Sequence, residues 1–194
     1  MPPPAPIHIE SKKILARAWG TLTEYVFAAI HSDGSRHIHT REVYDHGNAA
    51  AILLIDPARR VLTLVRQFRL PPHLQGDEGY LLEVCAGLLD GDTPETCARK
   101  EAMEETGIAP SSLAHAFDLY ASPGSLSEKT HCFIGFYAQV DRTGPGGGLG
   151  HEGEDIETIE IGFAQALSLI ETGAIRDSKT VALIQYAALK GLLA

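Results

Sequence analysis

One stretch constrains this chain more than any other: residues 81–108, LLEVCAGLLDGDTPETCARKEAMEETGI. The apolar run over 81–86 reads as a half-buried strand, and the loop 87–92 separates it from a helix predicted over 94–105. Thr93 is a natural N-cap, Pro94 suits the first helical position, and Gly107 stands where a left-handed C-terminal cap belongs. On that helix Glu101, Glu104 and Glu105 fall at i, i+3 and i+4. That spacing sets their carboxylates on neighbouring positions of one face, about one turn apart.

Such a face is unfavourable on two counts. Like charges at i,i+4 cost roughly a few tenths of a kcal/mol, and carboxylates near a helix C-terminus oppose the macrodipole. Lys100 and Arg99 offset part of this but sit at other angles around the helix. A solvated acidic helix end is one reading. The other is a bound divalent cation, which removes both penalties. Oxygen-only ligands of this kind suit Mg²⁺ or Mn²⁺ rather than zinc.

Composition narrows the classes. A length of 194 residues fits one domain, or one domain with an appended N-terminal layer, and a 44% hydrophobic share supplies a proper core. The net charge of −9 argues against a nucleic-acid backbone as partner. A phosphate-bearing substrate stays possible where metal ions invert the local field. Cys85, Cys97 and Cys132 are odd in number and irregular in spacing, which implies reduced thiols in the cytoplasm. The N-terminus MPPPAPIHIE has neither a basic nor an apolar signal region, and no apolar run approaches the ~18 residues that a membrane span needs.

Along the chain, residues 1–7 read as a frayed, proline-rich end. Three strands are expected between Ile9 and Tyr44, with a turn at 32–35. His37 and His39 share a face of the third strand, which reads as an exposed strand face rather than a metal pair. Two apolar strands follow over 50–55 and 61–68, then a loop over 71–79. Arg66 and Arg69 leave the second strand beside the acidic helix, where two guanidinium groups suit a diphosphate, although Arg66 equally suits a structural ion pair. Beyond the helix come strands over 117–120 and 130–140, with Glu128 in the loop between them. The run 143–150 holds five glycines, lacks the Gly-Lys-Ser/Thr ending of a phosphate-cradling loop, and reads as a mobile flap or a plain linker. Glu152, Glu154 and Asp155 follow it, so a flap would carry a carboxylate towards the metals. A last strand over 155–161 and helices over 163–171 and 179–193 close the chain, and Lys179 at a helix start is placed to bind phosphate.

The segment Lys100-Glu101-Ala102-Met103-Glu104-Glu105-Thr106-Gly107-Ile108 resembles the second half of the Nudix box. Lys100 stands where that pattern has arginine, Asp92 stands for its first glutamate, and the Gly87-to-Asp92 loop is one residue shorter than the common spacing. Arg41-Glu42-Val43-Tyr44-Asp45, Arg66-Gln67-Phe68-Arg69, Cys85-Ala86-Gly87-Leu88-Leu89-Asp90, Leu119-Tyr120-Ala121-Ser122-Pro123-Gly124 and Ile175-Arg176-Asp177-Ser178-Lys179-Thr180 extend the likeness over roughly residues 14 to 190. The group they resemble is the GDP-mannose pyrophosphatase branch of the nucleoside-diphosphate-sugar Nudix hydrolases.

The resemblance implies an α/β (α+β) fold. Its parts are an α/β/α sandwich about a mixed sheet (46–194) and an N-terminal three-stranded antiparallel layer (1–45) used for dimerisation. It implies that the Ala86 carbonyl, Glu101, Glu105 and Glu154 hold Mg²⁺, for which Mn²⁺ can substitute, with Glu104 in or beside that set. Glu128 would place the attacking water, with Glu154 and Glu105 as rivals. Trp19, Arg41, Glu42, Arg69, Glu128 and Lys179 would touch substrate, in sites shared by two subunits, although Trp19 equally suits a core or interface position. The reaction implied is GDP-mannose to GMP and mannose 1-phosphate. ADP-ribose hydrolysis is the nearest alternative, and a nucleotide-sugar sensor without catalysis is the alternative of another class.

Overall fold

The structure is a computed structural model that describes residues 6–150 and 153–193. The chain forms two compact units: one runs to Asn48 and takes in Tyr120–Lys129, and the other comprises Ala49–Leu119 and the chain from Thr130 onwards.

The first unit is a meander of β1 (Ile7–Arg17), β2 (Thr21–Ile30) and β3 (Arg36–Asp45), antiparallel and in that spatial order. Fraying through residue 7 is not observed: β1 starts at Ile7, which pairs with Ala29. The expected turn forms as Asp33 Oδ1 accepts the Ser35 N–H at 2.8 Å. Residues 122–127 are tied to β3 by reciprocal backbone bonds, Tyr44 N–H to Ser125 O at 2.9 Å and Ser127 N–H to Tyr44 O at 3.1 Å.

The second unit is built on a seven-stranded mixed sheet, with β4 (Ala49–Asp56) and β5 (Val61–Phe68) at its centre. All eight residues of β4 are buried, because both faces of the sheet are covered. Ala51, Leu53 and Ile55 face one core, while Ala50, Ile52 and Leu54 face the other. The first core is filled by α3 (Phe163–Glu171) and α4 (Ser178–Leu189), and the second by α2 (Pro94–Thr106). Beyond β4 lie β9 (Lys129–Phe136), parallel to it, and β8 (Ser112–Tyr120), with β10 (Glu157–Gly162) on the outer edge of β5. Three expectations are revised. A short helix, α1 (Leu70–Leu74), occupies the 71–79 loop, β8 begins five residues earlier than Phe117, and β9 ends at Phe136, with a single 3₁₀ turn (Gln139–Asp141) beyond it.

The feature that places the site is a split in this sheet. β4 and β5 pair only at Leu54–Asp56 with Val61–Thr63, and then diverge. Into the gap come β6 (Tyr80–Glu83), paired with β5, and β7 (Cys85–Leu88), paired with β4. The single strand expected over 81–86 is therefore two, broken at Val84. The Val84 N–H leaves the ladder to bond the Thr180 hydroxyl oxygen at 2.8 Å.

Candidate active site

α2 begins and ends as its sequence dictates. Thr93 Oγ1 accepts the Thr96 N–H at 3.2 Å, Pro94 is the first helical residue, and Gly107 closes the helix at φ 72°. The helix lies against β7 so closely that a Cβ at Gly87 would overlap the Glu101 carboxylate. A side chain there would push the Glu101 carboxylate aside, so glycine leaves it room beside the strand that carries Ala86. Lys100 Nζ stands 4.0 Å from Glu104, so the lysine serves one of the three acids as an i,i+4 partner instead of lying off to the side. Arg99 pairs with Glu95 and donates to Pro110 O.

The glycine run is docked rather than hanging free. Thr143 and Gly144 donate their N–H groups to Gly107 O, Gly147 donates to Glu105 O at 2.9 Å, and Gly148 donates to Glu104 O at 3.0 Å. These bonds satisfy carbonyls that a helix end leaves without partners. The contact is too tight for side chains, since a Cβ on Gly107 would overlap the Gly144 carbonyl and one on Gly146 would stand 2.7 Å from Thr106 C. Glu154 folds back over this loop, accepting the Leu149 N–H at 2.9 Å. Glu152 lies outside the described residues.

Glu105 is the most unusual group in the neighbourhood. It is 2% exposed, and its Oε2 has no hydrogen-bond partner among the described residues. Burial, then the charge on Glu101, and more weakly that on Glu154, push its pKa up to about 8, against the smaller opposing effects of the Cys85 thiol and Arg69. Cys85 is itself buried, and burial followed by the Glu105 charge raises its thiol pKa. The structure thus gathers Glu101, Glu105 and Glu154 into one electrostatic neighbourhood beside β7, with Glu104 on the outer side of the helix. A buried carboxylate oxygen without a partner, an all-oxygen donor set and the room that Gly87 leaves fit a hard divalent cation.

Close to this acid group stands a second cluster that runs through a residue the sequence reading missed. Glu83, at the end of β6 and 3% exposed, accepts from Arg69 Nε at 2.8 Å through Oε2 and from Lys179 Nζ at 3.3 Å through Oε1. Lys179 also donates to Asp177 Oδ1 at 2.9 Å. The other oxygen of Asp177 caps α4, accepting from the Thr180 N–H and hydroxyl. Arg69 and Lys179, named from sequence as phosphate ligands, are brought together by this one acid. Arg66 instead stacks over Tyr80 at 4.4 Å and approaches Glu157, which supports its structural role.

In the first unit, Trp19 is 72% exposed, which rules out a core position in the single chain. Its ring stacks on His46 at 4.7 Å, and His46 Nε2 lies 3.4 Å from Glu128, so two sequence-named residues meet through a third that was not foreseen. Arg41 and Glu42 are exposed on β3, where Arg41 donates to Thr40 O and Glu42 sits opposite Glu24. His37 has a partner that the sequence did not suggest, the His31 ring stacked on it at 3.9 Å.

Among the described residues, one further trio could share an ion. His115, Asp118 and His131 on β8 and β9 hold their donor atoms within 4.8 Å of one another. His115 Nε2 and His131 Nδ1 each hydrogen-bond Asp118 Oδ1, at 2.8 and 2.9 Å. None of the three belongs to the acid group around α2.

The chain is similar to known proteins in sequence and in fold. Residues 45–184 match the NUDIX domain model, and residues 6–44 match the model described as the GDP-mannose pyrophosphatase NudK N-terminal domain. A GDP-mannose pyrophosphatase of Klebsiella pneumoniae is 44% identical over 188 residues, covering 96% of this chain and 94% of its own. One from Escherichia coli O1:K1 is 45% identical over 188 residues, covering 96% and 97%. One from Pectobacterium atrosepticum is 44% identical over 191 residues, covering 98% of each. A crystal structure described as an ADP compounds hydrolase superposes with a TM-score of 0.72 over 97% of each chain at 21% identity, a likeness of fold.

Proposed function

The chain belongs to the Nudix hydrolases, a family that depends on divalent metals, and on that premise we propose that it cleaves the pyrophosphate bond of a nucleoside diphosphate sugar. The substrate we assign is GDP-mannose, giving GMP and mannose 1-phosphate, as the names of its relatives suggest. The observation that carries the reading is the buried, partner-free oxygen of Glu105 in the field of Glu101 and Glu154. A buried carboxylate oxygen so placed is suited to hold a cation.

In this reading the Ala86 carbonyl, Glu101, Glu105 and Glu154 hold Mg²⁺, with Glu104 orienting the group. Bound there, the ion supplies charge neutralisation across the diphosphate and acidifies the attacking water. Arg69 and Lys179 take up the remaining phosphate charge, which a diphosphate needs before a nucleophile can approach. Glu128, beside His46, is assigned to placing the attacking water. Trp19 is assigned to the nucleobase, since an exposed indole offers a flat apolar plate. Arg41 and Glu42 are assigned to substrate contacts across a homodimer. Three free thiols suit a reducing compartment, and we place the reaction in the cytoplasm.

Release of GMP from GDP-mannose and of AMP from ADP-ribose, each with Mg²⁺ and with EDTA, tests the proposal. The expected result is EDTA-sensitive turnover with GDP-mannose the better substrate. Preference for ADP-ribose would move the substrate assignment, and tight nucleotide-sugar binding without turnover would make the protein a sensor.

A further inference from the structure

Glu83 is buried, charged and unassigned in the mechanism above. Burying a carboxylate is costly unless it is paired, and an ion pair kept only for cohesion is often matched by apolar packing. The arrangement around Glu83 is directional instead. The acid is 3% exposed, whereas Lys179 is 18% and Arg69 38% exposed, so the cations form the part that solvent reaches.

The contacts are also divided. Glu83 gives Oε2 to the arginine and Oε1 to the lysine, so one group on a strand sets the separation of cations from the end of β5 and the first turn of α4. Arg69 is held through Nε alone. Among the described residues its two terminal nitrogens make no hydrogen bond, and they are the pair that grips a phosphate bidentately. Lys179 spends N–H groups on Glu83 and Asp177 and keeps one of its three. Burial works against its charge, but Glu83 and Asp177 outweigh that and raise its pKa, so it stays an ammonium. The strand and the helix are fixed to each other next door, where Thr180 takes the Val84 N–H and donates to Asp177.

We propose that Glu83 is a positioning residue: without touching substrate, it fixes the spacing and aim of Arg69 and Lys179 towards the substrate diphosphate. This rests on the reading of those two cations as phosphate ligands. Both would grip the diphosphate in ground and transition state alike, so the loss of Glu83 belongs in KM.

The test compares wild type, Glu83→Gln, Glu83→Asp, Arg69→Ala and the double variant Arg69→Ala/Glu83→Gln on GDP-mannose with Mg²⁺. Glu83→Gln is expected to raise KM and the inhibition constant of GDP by about tenfold or more, with a smaller change in kcat. Mn²⁺ binding without nucleotide should stay unchanged. In the Arg69→Ala background the same substitution should add less than it does in the wild type, because one of the two cations it positions is gone and only Lys179 remains. Glu83→Asp keeps the charge and shortens the reach, and it should follow Glu83→Gln in KM; it carries the test if the glutamine variant does not fold. An unchanged KM, or full additivity with Arg69→Ala, overturns the positioning role while leaving the site's reading intact. A wild type that hydrolyses no nucleoside diphosphate sugar overturns the reading beneath it.

Discussion

Glu105 concentrates the physics of this site in one side chain. Its folded pKa is raised to about 8 from 4.5, so between those values the folded state keeps a proton that the unfolded state has lost. The stability of the metal-free protein must therefore fall as pH rises from about 4.5 to about 8, at on the order of 1 kcal/mol per unit from this group. Glu105→Gln removes that slope. The variant should be more stable than wild type at pH 8 without metal, yet lose about a thousandfold in turnover. Thermal unfolding from pH 5 to 8 and steady-state rates check both halves, and a variant with near-normal rate would remove Glu105 from the metal set. At this scale Glu101 and Glu105 were legible because helical spacing alone brings them together, whereas Glu104 pairs with Lys100 instead. Glu83 and His46 were not, since each is a single residue whose meaning comes from partners that only folding supplies. Glu83 meets Arg69 from 14 and Lys179 from 96 positions away.

Elements governed by local rules were read well. The ends of α2 follow from Thr93, Pro94 and Gly107, and α3 follows from its apolar spacing. What failed depended on distant groups. The break at Val84 exists because the Thr180 hydroxyl takes its N–H, and nothing near residue 84 in sequence announces that. The glycine run was misread for a related reason: glycine marks both a loose flap and a backbone that must approach another closely. Here the second holds, and it changes what mutation should do. Gly107→Ala faces both a left-handed φ and the Gly144 carbonyl, and should cost about 2 kcal/mol or more. Excising Gly146–Gly148 should lower stability and turnover together, because it uncaps α2 and displaces Glu154. Denaturant melts beside rates decide this, and lost turnover with an unchanged midpoint would restore the flap.

For the molecule as a whole, the sequence conveyed a mixed-sheet sandwich and an antiparallel layer but could not show how segments far apart in sequence join into units. Residues 120–129 cluster with the N-terminal strands, a consequence of backbone bonds to Tyr44. In the single chain β1 is exposed along its whole length, with Ile7, Ile9 and Ile14 each near half exposed. Three isoleucines left half exposed on one strand want cover, and a second copy is the cover we assign. Ile9→Glu with Ile14→Glu should convert a dimer into a folded monomer with weakened substrate binding, and light scattering with KM measurement checks it. A wild-type monomer would end the shared-site assignment. The claim under all of this is that the acids at the sheet split exist to hold divalent ions. Anomalous diffraction from crystals soaked in Mn²⁺ tests it most directly. The strongest peak should lie against the Ala86 carbonyl, Glu101 and Glu105; no peak there, or manganese only at His115, Asp118 and His131, would contradict it.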